Sequence, residues 1–331
     1  MCNIKHRIDY VDISKGIGLI LVVLSHTVSY RLMLFASGFY VPIFFVCAGY
    51  TYRGGGTFIE NVKKRAVRLI KPYFFFSVIL LICFMHFSLR EFVGIFYSRY
   101  CLYLPDVVPN IKFLTSGNFP LWFLTCMLVS YVLFYVLIYY ERYAVFLLLI
   151  YLFFTAILDK LPILLPWSID TAFIMAILMY VGKKLRGMNM MPDDAIGLFS
   201  RFVVCLLLYT GAMLLDGEMN ISVRIYGNSF LLYLLAAIFG CMMLLYFSKM
   251  IEKTYVGHVL LMFGKHSLTI FCIEIPFIYY GGVCFKFFIS QEILPHYELA
   301  LGLFQLCSAM VGGYVCSVIF NRFSITRKML S

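Results

Sequence analysis

The chain is 331 residues long, 63% hydrophobic and 18% aromatic, with 13% charged residues and a mean hydropathy of +0.93. Soluble globular chains carry about 25% charged residues, so a water-soluble core with a single anchor is excluded and a polytopic membrane protein is expected. The net charge of +11 would suit nucleic acid as a partner, but the placement of the basic residues argues for membrane topology instead.

Apolar stretches of bilayer-crossing length, roughly 17–25 residues, recur from end to end. They predict spans at 11–31, 33–52, 68–89, 119–140, 143–158, 167–182, 196–215, 228–248, 266–287 and 298–320. The expected fold is therefore all-α, a polytopic integral membrane protein of about ten helices, with 1–331 forming one membrane-embedded domain. The runs are continuously apolar rather than alternating, which argues against a β-barrel. The amino terminus is basic before an apolar run, as in a signal peptide, but no small-residue cleavage site follows. It reads as a retained first span. With that terminus inside, 20 basic residues fall on the inner side and 7 on the outer. That split follows the positive-inside rule and places both termini in the cytoplasm.

The first span opens with "KGIGLILVVLSH", an uncharged run between Lys15 and His26. Eleven residues turn about 20° past three full helical turns and rise about 16 Å. Lys15 and His26 thus share one stripe, Asp12 lies about 40° off it, and a polar trail runs from the cytoplasmic surface into the bilayer. An ionisable group at membrane depth costs roughly 2.5–3.5 kcal/mol and is a functional candidate by default. A snorkelling lysine and a histidine satisfied by a neighbouring helix is the competing reading.

The next span ends in "FYVPIFFVCAGYTYRGGG". Gly49 there allows close backbone approach, and Gly54, Gly55 and Gly56 make a flexible inner loop. "NVKKRAVRLIKPYFFF" at 61–76 gathers Lys63, Lys64, Arg65, Arg68 and Lys71 before the third span. Arg65 and Arg68 share a face at i and i+3. Five bases in nine residues suit a polyphosphate, which arginine grips bidentately. A positive-inside cluster or a binder of anionic lipid has the same composition.

Residues 90–118 form the longest stretch outside the spans and are expected along the membrane surface. Trp122 and Phe123 suit an interfacial aromatic belt. "LPWSIDTAF" at 165–173 marks a helix entrance with Asp170 one turn in, where a carboxylate also complements the helix dipole. Glu274 lies inside the ninth span. The eleven cysteines are scattered without CxxC or zinc-ligand spacing, which reads as buried thiols with no metal site.

Seven stretches in order, "RIDYVDISKGIGLILVVLSH", "FYVPIFFVCAGY", "RAVRLIKPY", "LWFL", "LPWSID", "YGNS" and "GKHSL", resemble the acyltransferase family 3 membrane O-acyltransferases. The branch most similar is that of the fucose 4-O-acetylases. The resemblance covers nearly the whole chain. It implies an enzyme of a bacterial cytoplasmic (inner) membrane that moves an acyl group, usually acetyl from acetyl-CoA, onto a carbohydrate hydroxyl. Such acceptors include a surface polysaccharide or a lipid-linked sugar. The family's histidine falls on His26, its basic partner on Lys15, and its arginine pair on Arg65 and Arg68. Three positions depart from the pattern. Lys15 replaces an arginine, Ala48 stands where serine is usual, and Glu274 lies where many members have a histidine.

On this reading the ADP end of CoA meets Arg65, Arg68, Lys64 and Lys71, and the pantetheine arm runs past Lys15 towards His26. His26 acts as base or as acyl-carrying nucleophile. An acid orienting His26 has to come from Asp170 or Glu274, because Asp12 is about 21 Å away along the same helix. Asp170 is favoured, since it and His26 both lean to the outer half. A transporter or lipid-linked-glycan flippase would share the rare intramembrane charges but should show repeat-related broken helices, and none is evident. A non-catalytic scaffold gives no reason for the Lys15–His26 alignment.

Overall fold

The structure is a computed structural model and describes residues 7–28, 30–105, 110–113, 118–288 and 297–330. Lys5 and parts of the 90–118 stretch lie outside the described residues. The chain is all-helical: α1 (Asp9–Ser25), α2 (Pro42–Tyr50), α3 (Phe58–Phe84), α4 (Leu89–Tyr97), α5 (Trp122–Tyr139), α6 (Ala144–Asp159), α7 (Ile169–Gly187), α8 (Ala195–Asp216), α9 (Phe230–Met250), α10 (Tyr255–Lys265), α11 (Ser267–Phe288), α12 (Glu298–Arg322) and α13 (Ser324–Leu330). Among the described residues β-pairing is limited to three isolated bridges in the loops.

Among the described residues seven helices are long and apolar enough to cross a membrane: α3, α5, α6 with the turn before it, α8, α9, α11 and α12. Their outer faces carry the signature of lipid as solvent. On α6, Val145, Phe146, Leu149 and Phe153 are exposed at helical spacing, while Ala144, Tyr151 and Thr155 are buried. Apolar patches repeated in this way would drive aggregation in water. In hydrocarbon they cost nothing, and the helix satisfies its own backbone.

The interior is built on α2, every residue of which is buried, and on α7, buried almost continuously from Asp170 to Tyr180. α5 packs on α7 and α3, α8 on α9, and α11 on α12, while α1 lies against α10, α9, α12 and α2.

The expected span 33–52 is not one helix. A 3-10 stretch, Tyr30–Ala36, gives way to a turn, and α2 begins only at Pro42. Proline has no N–H and its ring blocks the preceding turn, so it starts a helix but does not continue one. The third helix starts ten residues before its expected boundary, fixed by a Thr57–Glu60 capping box that satisfies orphan N–H groups reciprocally. Arg65 and Arg68 therefore sit on α3 itself. Pro72 within α3 leaves the Arg68 carbonyl without its helical donor. The stretch after α3 contains α4, which exposes Leu89, Phe92, Val93 and Phe96 and buries Glu91, Gly94 and Ile95, the two-faced pattern of a surface helix.

Two helix crossings depend on missing side chains. At the α2–α7 crossing, a Cβ on Gly49 would lie 1.7 Å from the Met179 carbonyl oxygen, and one on Gly182 would lie 2.1 Å from that of Val46. At the α1–α10 crossing, a Cβ on Gly264 would lie 1.8 Å from the Asp12 carbonyl oxygen. Backbone cannot yield as a side chain can. Gly49→Ala should thus lose stability at the upper end of about 1–3 kcal/mol, read as a lower apparent Tm in detergent. An unchanged Tm would show that the helices are not so closely seated.

Candidate active site

α1 ends at Ser25, and His26 is its C-terminal cap residue. The imidazole Nδ1 meets Glu274 Oε1 of α11 at 2.6 Å, bringing together residues 248 apart in sequence. Glu274 is fully buried, whereas the His26 side chain keeps 18% exposure. A carboxylate facing Nδ1 fixes the proton there and leaves the lone pair on Nε2, the tautomer of an imidazole poised to accept a proton. The second oxygen of Glu274 is buried without a hydrogen-bond partner. A carboxylate kept dry for a single contact is costly as architecture, so its return lies in orienting His26. Pro276, two residues on within α11, removes the helical donor to the Cys272 carbonyl.

His26 lines a cavity of about 260 Å³ with Val22, Ser25, Ser37, Tyr40, Glu218, Asn220 and Ser222. A second cavity, about 230 Å³, is lined by Lys15, Ala48, Arg65, Arg68 and Tyr131. The two share the walls Phe123 and Phe271, whose ring centroids are 4.9 Å apart. A third, about 650 Å³, opens at the other end of α1 and shares Lys15, Thr51, Arg65 and Arg68 with the second. The three adjoin in order along α1, with the histidine at one end and the cations at the other.

The third cavity is strongly positive. Arg7, Lys15, Arg53, Lys64, Arg65, Arg68 and Arg186 line it against the single carboxylate of Asp12. Arg7 and Lys15 both reach that carboxylate, at 3.2 and 3.1 Å. Arg65 is anchored by its Nε donating to the Tyr135 hydroxyl at 3.2 Å and by stacking 4.5 Å from the Tyr131 ring centroid. Arg68 has no carboxylate within salt-bridge reach among the described residues. Cations in excess, two of them guanidinium groups one turn apart on α3, suit a polyanion.

A family model described as an acyltransferase domain, that of acyltransferase family 3, matches residues 8–322. The chain belongs to acyltransferase family 3. No curated protein and no solved structure matches it.

In this family 3 acyltransferase the sequence-predicted residues separate into groups. Lys15, Arg65 and Arg68 line both basic cavities, Lys64 lines the outermost one, and His26 and Glu274 pair at the far end. Lys71 is exposed and lines none of these cavities, which corrects its grouping with the arginine pair. Asp170 does not reach His26. It is fully buried between Arg99 Nη2 on one oxygen and Arg224 Nη1, at 2.9 Å, on the other. Backbone amides of Leu165 and Thr171 also donate to it. The expectation that Asp170 orients the histidine is corrected to Glu274, because both oxygens of Asp170 are already held by guanidinium groups.

Asp170 instead secures the 161–168 loop and, through Arg99, the turn at Ser222 that lines the histidine cavity. Arg99 also donates to the Leu165 and Ser222 carbonyls, and Arg224 to those of Ile163 and Leu161. Trp167 and Ser168 sit at φ +56° just before α7, left-handed backbone that costs about 1–3 kcal/mol per residue. This network and the Trp167 indole N–H donating to the Phe96 carbonyl at 2.8 Å hold them there. Arg7, Arg53, Arg186, Phe123 and Phe271 were not assigned site roles from sequence. The available signal was "AGYTYR", which runs from the last turn of α2 into the loop and puts Arg53 beside the three glycines.

Proposed function

We propose that this chain is a membrane O-acyltransferase that moves an acetyl group from acetyl-CoA to a carbohydrate hydroxyl. The observation that carries this reading is the run of three adjoining cavities, which leads from an excess of cations to the His26–Glu274 pair. Diphosphate meets Arg65 and Arg68, the pantetheine arm lies in the middle cavity past Lys15, and the thioester reaches Phe123 and Phe271. The distance from Lys15 to His26 along α1, about 16 Å, suits an extended pantetheine.

The acceptor sits in the histidine cavity, where Ser25, Ser37, Tyr40, Glu218, Asn220 and Ser222 offer hydroxyl, amide and carboxylate partners for a sugar. His26 Nε2 takes the proton of the acceptor hydroxyl as its oxygen attacks the thioester carbonyl. The C–S bond breaks, and the imidazolium returns the proton to the CoA thiolate. Glu274 stabilises the imidazolium in between. Counting α1, the broken element 30–50 and α7 with the seven long helices gives about ten spans. Both termini are then cytoplasmic and the basic mouth faces the compartment that holds acetyl-CoA, in a bacterial cytoplasmic membrane.

The test is transfer of radiolabelled acetyl from acetyl-CoA in membranes carrying the native chain or Arg68→Ala. Charged hydrogen bonds are worth roughly 1.5–3 kcal/mol. Arg68→Ala should therefore raise KM for acetyl-CoA by about 10–100-fold with little change in kcat, the mark of lost ground-state binding. Native membranes that move a lipid-linked glycan across the bilayer without ever labelling it would replace this reading with transport.

A further inference from the structure

A fourth cavity, about 630 Å³, continues from the basic mouth. It shares Tyr52, Arg53, Gly54 and Arg186 with the third cavity and runs on past Gly55, Gly56, Tyr139, Lys183 and Gly187. Five of the seven cations of the third cavity thus fall into two groups, while Arg7 and Lys64 line that cavity alone. Lys15, Arg65 and Arg68 are shared with the inner cavity, while Arg53 and Arg186 are shared with the outer one.

Arg186 is placed by the fold. Gly182 seats α7 against the Val46 carbonyl of α2. Arg186 lies four residues further along α7 and so on the same face. Its Nη1 donates to the Tyr50 carbonyl, at the end of α2, at 3.2 Å. One of five guanidinium N–H donors is spent there, and no carboxylate lies within salt-bridge reach of Arg186 among the described residues. Its neighbours differ. Lys183 and Lys184 both engage Glu141, at 2.9 and 2.8 Å. Of the three cations at this end of α7, two share one carboxylate and the third is fixed, half-buried, against the shared wall. The rim opposite is open, because a Cβ on Gly54 or Gly55 would meet nothing within 4 Å.

We infer that Arg186, with Arg53 beside it, forms a second phosphate subsite that reads the ribose 3′-phosphate of the CoA nucleotide. The inference rests on acetyl-CoA as donor, and it follows from order. Leaving the thiol, a CoA molecule presents the pantetheine arm, then the diphosphate, then the 3′-phosphorylated ribose. Leaving His26, the cavities present an aromatic passage, then Arg65 and Arg68, then Arg53 and Arg186. Two anionic groups separated by a sugar meet two groups of cations separated by the breadth of one cavity. The phosphate of an anionic lipid headgroup has the same chemistry, and the experiment separates the two sources.

Full-length protein in phosphatidylcholine nanodiscs is titrated with adenosine 3′,5′-bisphosphate and with adenosine 5′-monophosphate, which lacks the second phosphate. The native chain should prefer the bisphosphate by about tenfold or more. Arg186→Gln should bring the two affinities close together, and Arg186→Lys, which keeps the charge but loses the bidentate fork, should fall between. The same ordering should appear in kcat/KM for acetyl-CoA against acetyl-dephospho-CoA. Equal binding of both nucleotides by the native chain, or a preference that survives Arg186→Gln, overturns the inference. So does retention of added phosphatidylglycerol that depends on Arg186 while nucleotide preference does not, because the subsite then belongs to a headgroup. Selective nucleotide binding without acetyl transfer to any carbohydrate would count against the proposed reaction and leave the subsite standing.

Discussion

Replacing His26 with alanine should lower acyl transfer by about 10²–10⁴-fold, the range supplied by a positioned general base. The imidazole lines the only one of the three adjoining cavities that a carbohydrate would enter in this mechanism, and its Nδ1 is held by Glu274 at 2.6 Å. Removing it takes away the base that this mechanism assigns to the hydroxyl proton as the thioester is attacked. It also leaves a fully buried carboxylate without that contact, so expression and thermal stability have to be compared alongside rate. The sharper measurement is the double variant. If His26 and Glu274 act as a unit, His26→Ala combined with Glu274→Gln should be no slower than His26→Ala alone, because residues of one constellation are strongly non-additive. Turnover by His26→Ala at the native rate would remove the histidine from the chemistry altogether.

Asp170→Ala should cost about 3–5 kcal/mol of stability, the penalty for leaving buried charge uncompensated. Arg99 and Arg224 are 0% and 2% exposed and converge on this one carboxylate, so the native cluster already carries one positive charge in excess. Arg224 Nε is buried without a partner. Removing Asp170 would leave two guanidinium groups in a dry site with only carbonyls to hold them. The loops carrying Leu161 to Ser168 and Ser222 would lose their common anchor. Apparent Tm in detergent reads this directly. A triple variant, Arg99→Met with Asp170→Leu and Arg224→Met, should recover much of the loss, since apolar replacement of a whole buried ion cluster is often neutral. An Asp170→Ala protein that keeps its native Tm but loses turnover would return Asp170 to the reaction.

The membrane character and most helices were legible because both follow from local composition. An uninterrupted apolar run has to be helical in hydrocarbon, and α5, α8, α9, α11 and α12 lie close to their expected ranges. What escaped was non-local or finer than a hydropathy window. The break between Tyr30–Ala36 and Pro42 hides within a uniformly apolar stretch. Hydropathy also gave no sign of α10, an 11-residue helix next to α11. His26, Asp170 and Glu274 could each be singled out because an ionisable group in lipid needs a reason. Nothing local says which carboxylate meets the histidine, since the answer depends on how α11 packs beside the end of α1. Arg99 and Arg224 are two of the seven basic residues that the sequence places on the outer side. Their apolar surroundings, "FYSRYCLYL" and "ISVRIYG", were the hint that they turn inward.

The aromatic pair between the chambers bears on how such a protein can coexist with an energised bilayer. Phe123 is packed edge-on by Phe44, Phe45 and Trp122 and lies 4.9 Å from Phe271. Both rings are about 95% buried. A molecule hollowed from both ends of one helix is a single contact away from a pore. Each proton lost down a potential of 100 mV dissipates about 2.3 kcal/mol. Two phenyl rings carry no lone pair and no hydroxyl, so they offer no relay along which a proton could hop. Under the proposed reaction they would act as an electrical seal, where an apolar acyl group would pass while the ions and water on either side stay apart.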